Sequence, residues 1–566
     1  MSLFSSLQLA SNALQAQSIG LQVVGQNIAN VNTPGYSRAE MNLAPAATQR
    51  VGRLLLGLGV DVQSIKQRID EHLNDRLRSA TADRVAGDIQ QGTYSQLEGI
   101  LNELSDTDIS TSMNNFFGAI SQVLSQPASV SVRNLAMLQG QTLAGDIGRL
   151  ASRATEVRDD LNDQVAEMAP DINRLLTQIA TFNVRIATAE GGGALGSDAV
   201  GLRDQRSQAL EQLAQLIDVQ TQEQSSGAIN VFAGGDFLVF EGVNRQVKVE
   251  HTQVDGLNVA KLLISETDSP IMSSSGKLAG LMDARDNIID GFLGKLNDFT
   301  RSLAFEFNKV FSSGQGLSGY SQVTADQPVL DANAPLDAAG LTYRPVSGSF
   351  NILVHDKQTN LTRTTRINID LNGLDDDDTT LTKLAAQLNS VDGVSATIDA
   401  VGKLVIKSLS PTTDLAFGDD TSGTLAALGI NTFFTGTSAS TLGINAAIKN
   451  DPSKFAASRS GIDGDTANAV DLANFSDRLL DTADGKSISQ FYAQLVGDVT
   501  QGSAVAKSVA TGFQTFEDTL RGQQLAVSGV NIDEETISML GYQRAYQASA
   551  RFIQTINELL NLLSSL

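Results

Sequence analysis

Apolar residues at Leu3, Leu7, Ala10, Leu14, Leu21, Val24, Ile28 and Val31 recur at alternating steps of three and four, with Gln17 interrupting the seam. That spacing predicts a coiled-coil helix. It is expected to stop at Val31-Asn32-Thr33-Pro34-Gly35-Tyr36, because a proline drives the residue before it out of helical geometry and Gly35 can adopt the positive φ of a type II turn. The other end of the chain repeats the pattern at Met539, Tyr542, Tyr546, Ser549, Ile553, Ile556, Leu560 and Leu563. A second seam, Ala545, Ala548, Phe552, Leu559, Leu562 and Leu566, lies on a different face, so this helix needs neighbours on two sides. Asn531 or Asp533 is placed to cap it, and Glu534 and Glu535 in the first turn complement the helix dipole. Burying one seam recovers less than the conformational entropy of ordering so long a segment. Both tails are therefore expected to be disordered in a monomer and helical in a polymer.

Between the tails, helical spacing runs through Ile65, Ile69, Leu73, Leu77 and Ala80, and again through Leu143, Ile147, Leu150, Ala154, Val157, Leu161 and Val165, with Pro127 and Pro170 as punctuation. Alternation takes over at Ile229, Val231, Phe237, Val239, Val247 and Val249, which predicts strands. Helical signals return over 284–311, and after Asn450 at Phe455, Leu472, Leu479 and Leu480. Residues 350–354, 366–370 and 404–406 read as strands, and 381–388 as a helix opened by Thr379 or Thr380. The predicted fold is α+β and multidomain. Coiled-coil terminal helices occupy 1–65 and 530–566, and a discontinuous helical-bundle domain is formed by 66–220, 285–312 and 447–529. A β-rich domain at 221–284 and a variable β-rich insertion at 313–446 complete it.

The length of 566 residues exceeds what one hydrophobic core supports, in keeping with several domains. Forty Lys and Arg against 63 Asp and Glu leave a net charge of −23, which repels nucleic acid and anionic membrane surfaces. That charge is unevenly placed, since residues 2–37 carry none of it. Ser, Gln and Asn interrupt this neutral stretch too often for a secretory signal or a membrane span. Without Cys there are no disulfides, thiol nucleophiles or thiolate metal sites. His72, His251 and His355 are far apart, and none begins a zinc-peptidase motif. Gly191, Gly193 and Gly196 have a dinucleotide-binding spacing, but a helical pattern precedes them where a strand is required. The acidic run 375–378 lacks the glycine and distal glutamate of a calcium loop and reads as a solvated turn. Arg544 and Arg551, one heptad apart, read as solvated flanking charges. No serine is placed beside a general base. The expectation is a structural polymer subunit with no catalytic residue, cofactor or metal.

Residues 27–38, Asn-Ile-Ala-Asn-Val-Asn-Thr-Pro-Gly-Tyr-Ser-Arg, resemble the signature of bacterial flagellar rod, hook and hook-associated proteins. The closing Thr-Pro-Gly-Tyr-Ser-Arg resembles the form found in the hook-associated protein 1 family. A second signature, Gly529-Val530-Asn531-Ile532-Asp533-Glu534-Glu535 followed by residues 546–555, resembles that family's C-terminus. Between them Ile69-Asp70, Phe116-Phe117, Leu124-Ser125-Gln126-Pro127, Asn173-Arg174-Leu175 and Leu202-Arg203-Asp204-Gln205-Arg206 stand in the family's order. Thr380-Leu381, Gly393-Val394 and residues 404–408 resemble a small β motif inserted in flagellins and hook-associated proteins.

The resemblance implies a structural subunit of the extracellular flagellum at the hook-filament junction, exported unfolded by the flagellar type III apparatus. It implies polymerisation through the terminal helices, with Leu3, Leu7, Leu14, Leu21, Val24, Ile28 and Val31 on one and Met539, Tyr542, Tyr546, Ile553, Ile556, Leu560 and Leu563 on the other. The signature turn is Asn30, Asn32, Thr33, Pro34, Gly35 and Tyr36. The implied partners are further copies of the chain, the hook protein, the second junction protein (hook-associated protein 3) and the export chaperone FlgN at the C-terminal helix. Nucleic acid and membrane insertion are not implied. One alternative is a hook or distal rod protein, against which stand the Tyr36-Ser37 ending, where those proteins usually carry Phe-Lys, and the long helical stretch from residue 66. The other is a surface protein whose insertion at 313–446 binds a ligand or catalyses a reaction.

Overall fold

A computed structural model describes residues 3–33, 35–51, 53–102, 108–193, 196–254, 256–374 and 377–565. From the N-terminus, helix α1 (Leu3–Ala29) leads into strands β1 (Ala39–Pro45), β2 (Thr48–Val51), β3 (Leu54–Gly57) and β4 (Val60–Gln67). β1 pairs with β4 and β2 with β3, both antiparallel. Helices α2 (Glu71–Asn102), α3 (Ile109–Ser125), α4 (Val130–Ala189) and α5 (Val200–Leu216) follow. Next come β5 (Gln220–Glu223), β6 (Ile229–Ala233), β7 (Asp236–Phe240) and β8 (Val243–Asn244) in one sheet, and the hairpin β9 (Val247–Val254) and β10 (Leu257–Ile264). α6 (Gly276–Asp283) joins α7 (Asp290–Ser312) through a π-helical turn at Ala284–Ile289.

The insertion holds β11 (Gln322–Thr324), β12 (Gly348–Asp356), β13 (Leu361–Ile369), α8 (Leu381–Asn389), β14 (Val394–Ile398), β15 (Leu404–Ser408) and β16 (Thr413–Gly418). Two three-stranded sheets, β13-β12-β16 and β11-β15-β14, share a core with α8 in which Phe350, Ile352, Leu384, Leu388, Leu404 and Ile406 are buried. Thr380 opens α8 by accepting the Lys383 N–H at 3.1 Å. The chain continues through α9 (Thr424–Leu428), β17 (Phe434–Thr435), β18 (Gly443–Ile444), α10 (Ala446–Asn450) and α11 (Ala467–Ala473) to α12 (Ile488–Ser528) and α13 (Ile532–Ser564).

Two compact units result. One comprises Met1–Thr93, Asp159–Arg285 and Ala504–Leu566, the other Tyr94–Arg158 and Asp286–Ser503. The chain passes between them inside α2, α4, the π-helical turn and α12. The second unit gathers phenylalanines in its core. Phe433 and Phe434 meet edge to face at 4.8 Å, and Phe116 lies 5.3 Å from both Phe307 and Phe433.

Several expectations are corrected. Strands β1 to β4 precede α2, so Ile65 lies in β4 and Ile69 comes before the start of α2, where both had been read as helical. Pro170 lies inside α4 and does not end it. Its ring points to solvent, while Val165, Met168, Ala169 and Ile172 are buried around it. That packing outweighs the ~3 kcal/mol cost of an interior proline. Phe455, Leu479 and Leu480 fall outside helices, because short helical turns replace the long helix read from their spacing. Both tails are helical in the single chain, since α1 rests on α13 and also on β1 and β4. These added neighbours supply burial that one seam does not. Among the described residues, no helix is long and apolar enough to cross a membrane.

Candidate subunit interface

The buried stripe of α1 is made of small residues, Ala10, Ala16, Gly20, Val23 and Val24, and ends in a buried Asn27. Small side chains let α13 approach closely. A Cβ on Gly20 would lie 2.9 Å from the ring of Tyr542, so the aromatic ring occupies the space that a side chain at position 20 would need. Asn12 fixes the other flank, donating from Nδ2 to the Leu58 carbonyl at 3.0 Å.

Of the seam residues named from the sequence, Ala10, Val24 and Ile556 are buried. Leu3, Leu7, Leu14, Leu21, Ile28, Val31, Met539, Tyr542, Ile553 and Leu560 are half-buried, and Tyr546 and Leu563 are exposed. The second face of α13 is largely uncovered. Phe552 is 45% exposed, Leu559 46% and Leu562 62%, and Leu540 and Ile537 extend the same exposure towards the start of the helix. Leu566, the last residue of that seam, lies outside the described residues, as do Pro34 of the signature turn and Asp375 and Asp376 of the acidic run.

Polar groups lock the two terminal helices at one end. Gly35 takes φ +75° and turns the chain after α1, so that Tyr36 donates its hydroxyl to Asn27 Oδ1 at 2.8 Å. Asn27 also accepts the Ala39 N–H at 3.0 Å, and its Nδ2 donates to the Ala39 carbonyl at 3.0 Å and to Glu535 Oε2 at 3.1 Å. Arg38 donates to Glu535 Oε1 at 2.7 Å and to Glu534 Oε2 at 3.3 Å. Its backbone N–H donates to the Ser528 carbonyl at 2.9 Å. Glu535 is 1% exposed, so its charge is carried by Arg38 and the Asn27 amide instead of water. Asn531 caps α13 by accepting the Asp533 N–H at 3.0 Å. The turn residues Asn30 and Thr33 bond each other at the helix end, Thr33 Oγ1 donating to Asn30 Oδ1 at 3.3 Å, while Asn32 is exposed.

A layer of charged groups backs this turn. Asp204 accepts the Ser37 N–H at 3.2 Å and Gln67 Nε2 at 2.6 Å. Burial pushes its carboxyl up to about 6, against the two hydrogen bonds that favour the charged form. Burial also raises the Tyr36 phenol to about 12, with Asp204 and Glu535 adding to the shift. Arg203 binds Glu190 and Glu223, and burial brings the neighbouring Arg206 guanidinium down to about 10. A cavity of about 70 Å³ lies among Ser37, Gln67, Arg78, Asp204, Arg206 and Glu223. Farther along, Glu517 of α12 accepts Thr81 Oγ1 at 3.1 Å and Arg521 at 2.8 Å, and pairs with Arg84 of α2. Burial raises the Glu517 carboxyl, but its bonds to Arg521, Arg84 and Thr81 more than reverse this and hold it below the usual value.

Apolar periodicity does not mark Asn27, Arg38 or Asp204. All three lie within the residues quoted as resembling the flagellar signatures, and a polar residue at Asn27 on the helix's packed stripe was the signal available. The candidate chemistry set aside earlier is scattered. His72, His251 and His355 lie on α2, β9 and β12, and His355 bonds Thr362 at 3.0 Å. Gly191 and Gly193 form a helical turn between α4 and α5.

Three family models match the chain. Residues 94–325 match the flagellar hook-associated protein FlgK helical domain, 521–566 the flagellar basal body rod FlgEFG protein C-terminal, and 7–36 the flagella basal body rod protein. Flagellar hook-associated protein 1 of Salmonella typhimurium is 25% identical over 582 residues, covering 99% of each chain. That of Bacillus subtilis is 24% identical over 596 residues, covering 99% of this chain and 97% of its own. Along nearly its whole length the chain is similar to flagellar hook-associated protein 1. Asn27 falls in one matched terminal segment and Glu535 in the other, so the interlock joins the two parts of the chain that resemble rod proteins. A solved structure of the flagellar hook junction protein FlgK from Burkholderia pseudomallei aligns with a TM-score of 0.49 at 15% identity, covering 80% of this chain and all of that one.

Proposed function

We propose that this chain is a structural subunit of the bacterial flagellum that forms the hook-filament junction and catalyses no reaction. Polymerisation proceeds through the terminal helices. The carrying observation is that α13 has two apolar faces, one packed on α1 and one uncovered at Phe552, Leu559 and Leu562. A helix finished on one side only is suited to a neighbouring copy on the other. The half-buried seam residues, Leu21 and Ile553 among them, hold the pair together, and the second seam supplies the contact between copies.

In this reading the chain leaves the cell unfolded through the type III apparatus and acts on the extracellular flagellum. It meets the hook protein on one side and the second junction protein, hook-associated protein 3, on the other. The chaperone FlgN covers the C-terminal helix before export. The terminal tube domain is built from 1–65 and 530–566, the helical domain from 66–220, 285–312 and 447–529, and the β-rich domains from 221–284 and 313–446. Deleting the gene tests this. Cells should keep hooks, lack filaments and release flagellin as monomer; normal filaments on such cells overturn the proposal.

A further inference from the structure

The loop after β13 holds Asn372 followed by Gly373, the one place in the sequence where asparagine precedes glycine. Both residues are exposed, and Gly373 adopts φ +70° with nothing near the position a Cβ would take. Glycine leaves its backbone nitrogen open to attack on the side chain before it. Two hydrogen bonds bear on that reaction. The Gly373 N–H, which must lose its proton, donates to Asp378 Oδ1 at 3.0 Å. Asn372 Oδ1, where negative charge would develop, accepts the Leu374 N–H at 2.7 Å. An acceptor carboxylate sits on the nucleophile and a donor sits on the developing oxyanion.

We infer that Asn372-Gly373 is a self-modification site at which Asn372 is converted to aspartate and isoaspartate, with Asp378 as the base. Asp378 takes the Gly373 proton, and the nitrogen bonds to Asn372 Cγ. The Cγ–Nδ2 bond breaks with return of a proton to Nδ2, so ammonia leaves and a five-membered succinimide forms. Water then opens either carbonyl, giving aspartate or isoaspartate. The product adds a negative charge beside Asp370, Asp377 and Asp378. Asn389-Ser390 offers an internal contrast. Asn389 Nδ2 donates to the Ala396 carbonyl at 2.7 Å and its Oδ1 accepts the Ala396 N–H at 2.8 Å, so its amide is held at both ends.

The test is peptide mapping with isoaspartate detection on the folded full-length protein aged at neutral pH. Conversion should accumulate at Asn372, leave Asn389 intact and vanish in Asn372→Gln. In Asp378→Asn it should slow several-fold. An intact Asn372 in aged protein, or conversion confined to the denaturant-unfolded chain, overturns the site. An Asp378→Asn rate equal to or above the wild type overturns the assignment of the base.

Discussion

Asn27 donates a 3.1 Å hydrogen bond to Glu535, 508 residues further along the chain, and both side chains are buried. Each signature segment is completed by the other. The N-terminal turn supplies Asn27, Tyr36 and Arg38, and the start of α13 supplies the one carboxylate that satisfies Arg38 and the Asn27 amide together.

Glu535→Ala should release this end of α13. Removing one partner of a buried ion pair costs about 3 kcal/mol, because the other charge is left without compensation. Hydrogen exchange of the amides at 531–540 should rise by the corresponding factor, while the insertion at 313–446 stays protected. Unchanged protection at 531–540 would remove the interlock from any role in holding α13.

Gly20→Leu places a side chain where the Tyr542 ring lies. Overpacking of this kind costs about 1 to 3 kcal/mol. Tyr542→Ala in the same chain should recover part of the loss, and a double-mutant cycle read by hydrogen exchange of α1 measures the coupling. Additive effects would mean that the two helices do not meet at this pair in solution.

The uncovered face of α13 separates assembly from folding. Leu559→Asp should change stability by no more than about 0.5 kcal/mol, as surface substitutions usually do, yet prevent incorporation into the junction. Ile556→Asp, on the buried face, should lose both. Wild-type junction formation by Leu559→Asp would leave that face without the proposed neighbour.

Asp204 has an inverted pH dependence. Its folded pKa, about 6, lies above the ordinary carboxylate value, so the folded state binds the proton more tightly. Its contribution is therefore fully present below the unfolded pKa near 4 and is lost as pH rises to about 6. Asp204→Asn keeps an oxygen for Ser37 and Gln67, and should stabilise the first unit by about 1 to 2 kcal/mol at neutral pH, a figure reduced for partial solvent screening. Glu517, held below its usual value, contributes the opposite slope, losing stability as pH falls. Urea midpoints of Asp204→Asn and wild type should converge below pH 4; a constant gap at every pH would refute the assignment.

The helical tails and the β insertion were legible because their apolar spacing repeats over many residues, as at Leu14, Leu21 and Ile28 or in β12 and β15. Strands β1 to β4 were not. Along β1 only Ala39 is fully buried, so no strict alternation marks it, and Ile65 could be borrowed by the neighbouring helical pattern. Pro170 misled because propensity describes an isolated helix, whereas Val165, Met168 and Ile172 hold α4 through it. Asn27 and Glu535 were hidden for another reason. A polar pair 508 residues apart leaves no periodicity for a local reading to find.

The same separation orders events in time. Closing a flexible loop of this length costs about 5.5 kcal/mol in chain entropy beyond a constant term, a cost that falls once the intervening segments are compact. That cost disfavours a meeting of the two ends before the insertion and the phenylalanine core have formed. Until the final residues arrive, Asn27 and Arg38 wait without their carboxylate, and a chain cut short before residue 535 has no means of closing. The interlock is a completion signal, available only to a chain that has been made as far as Glu535.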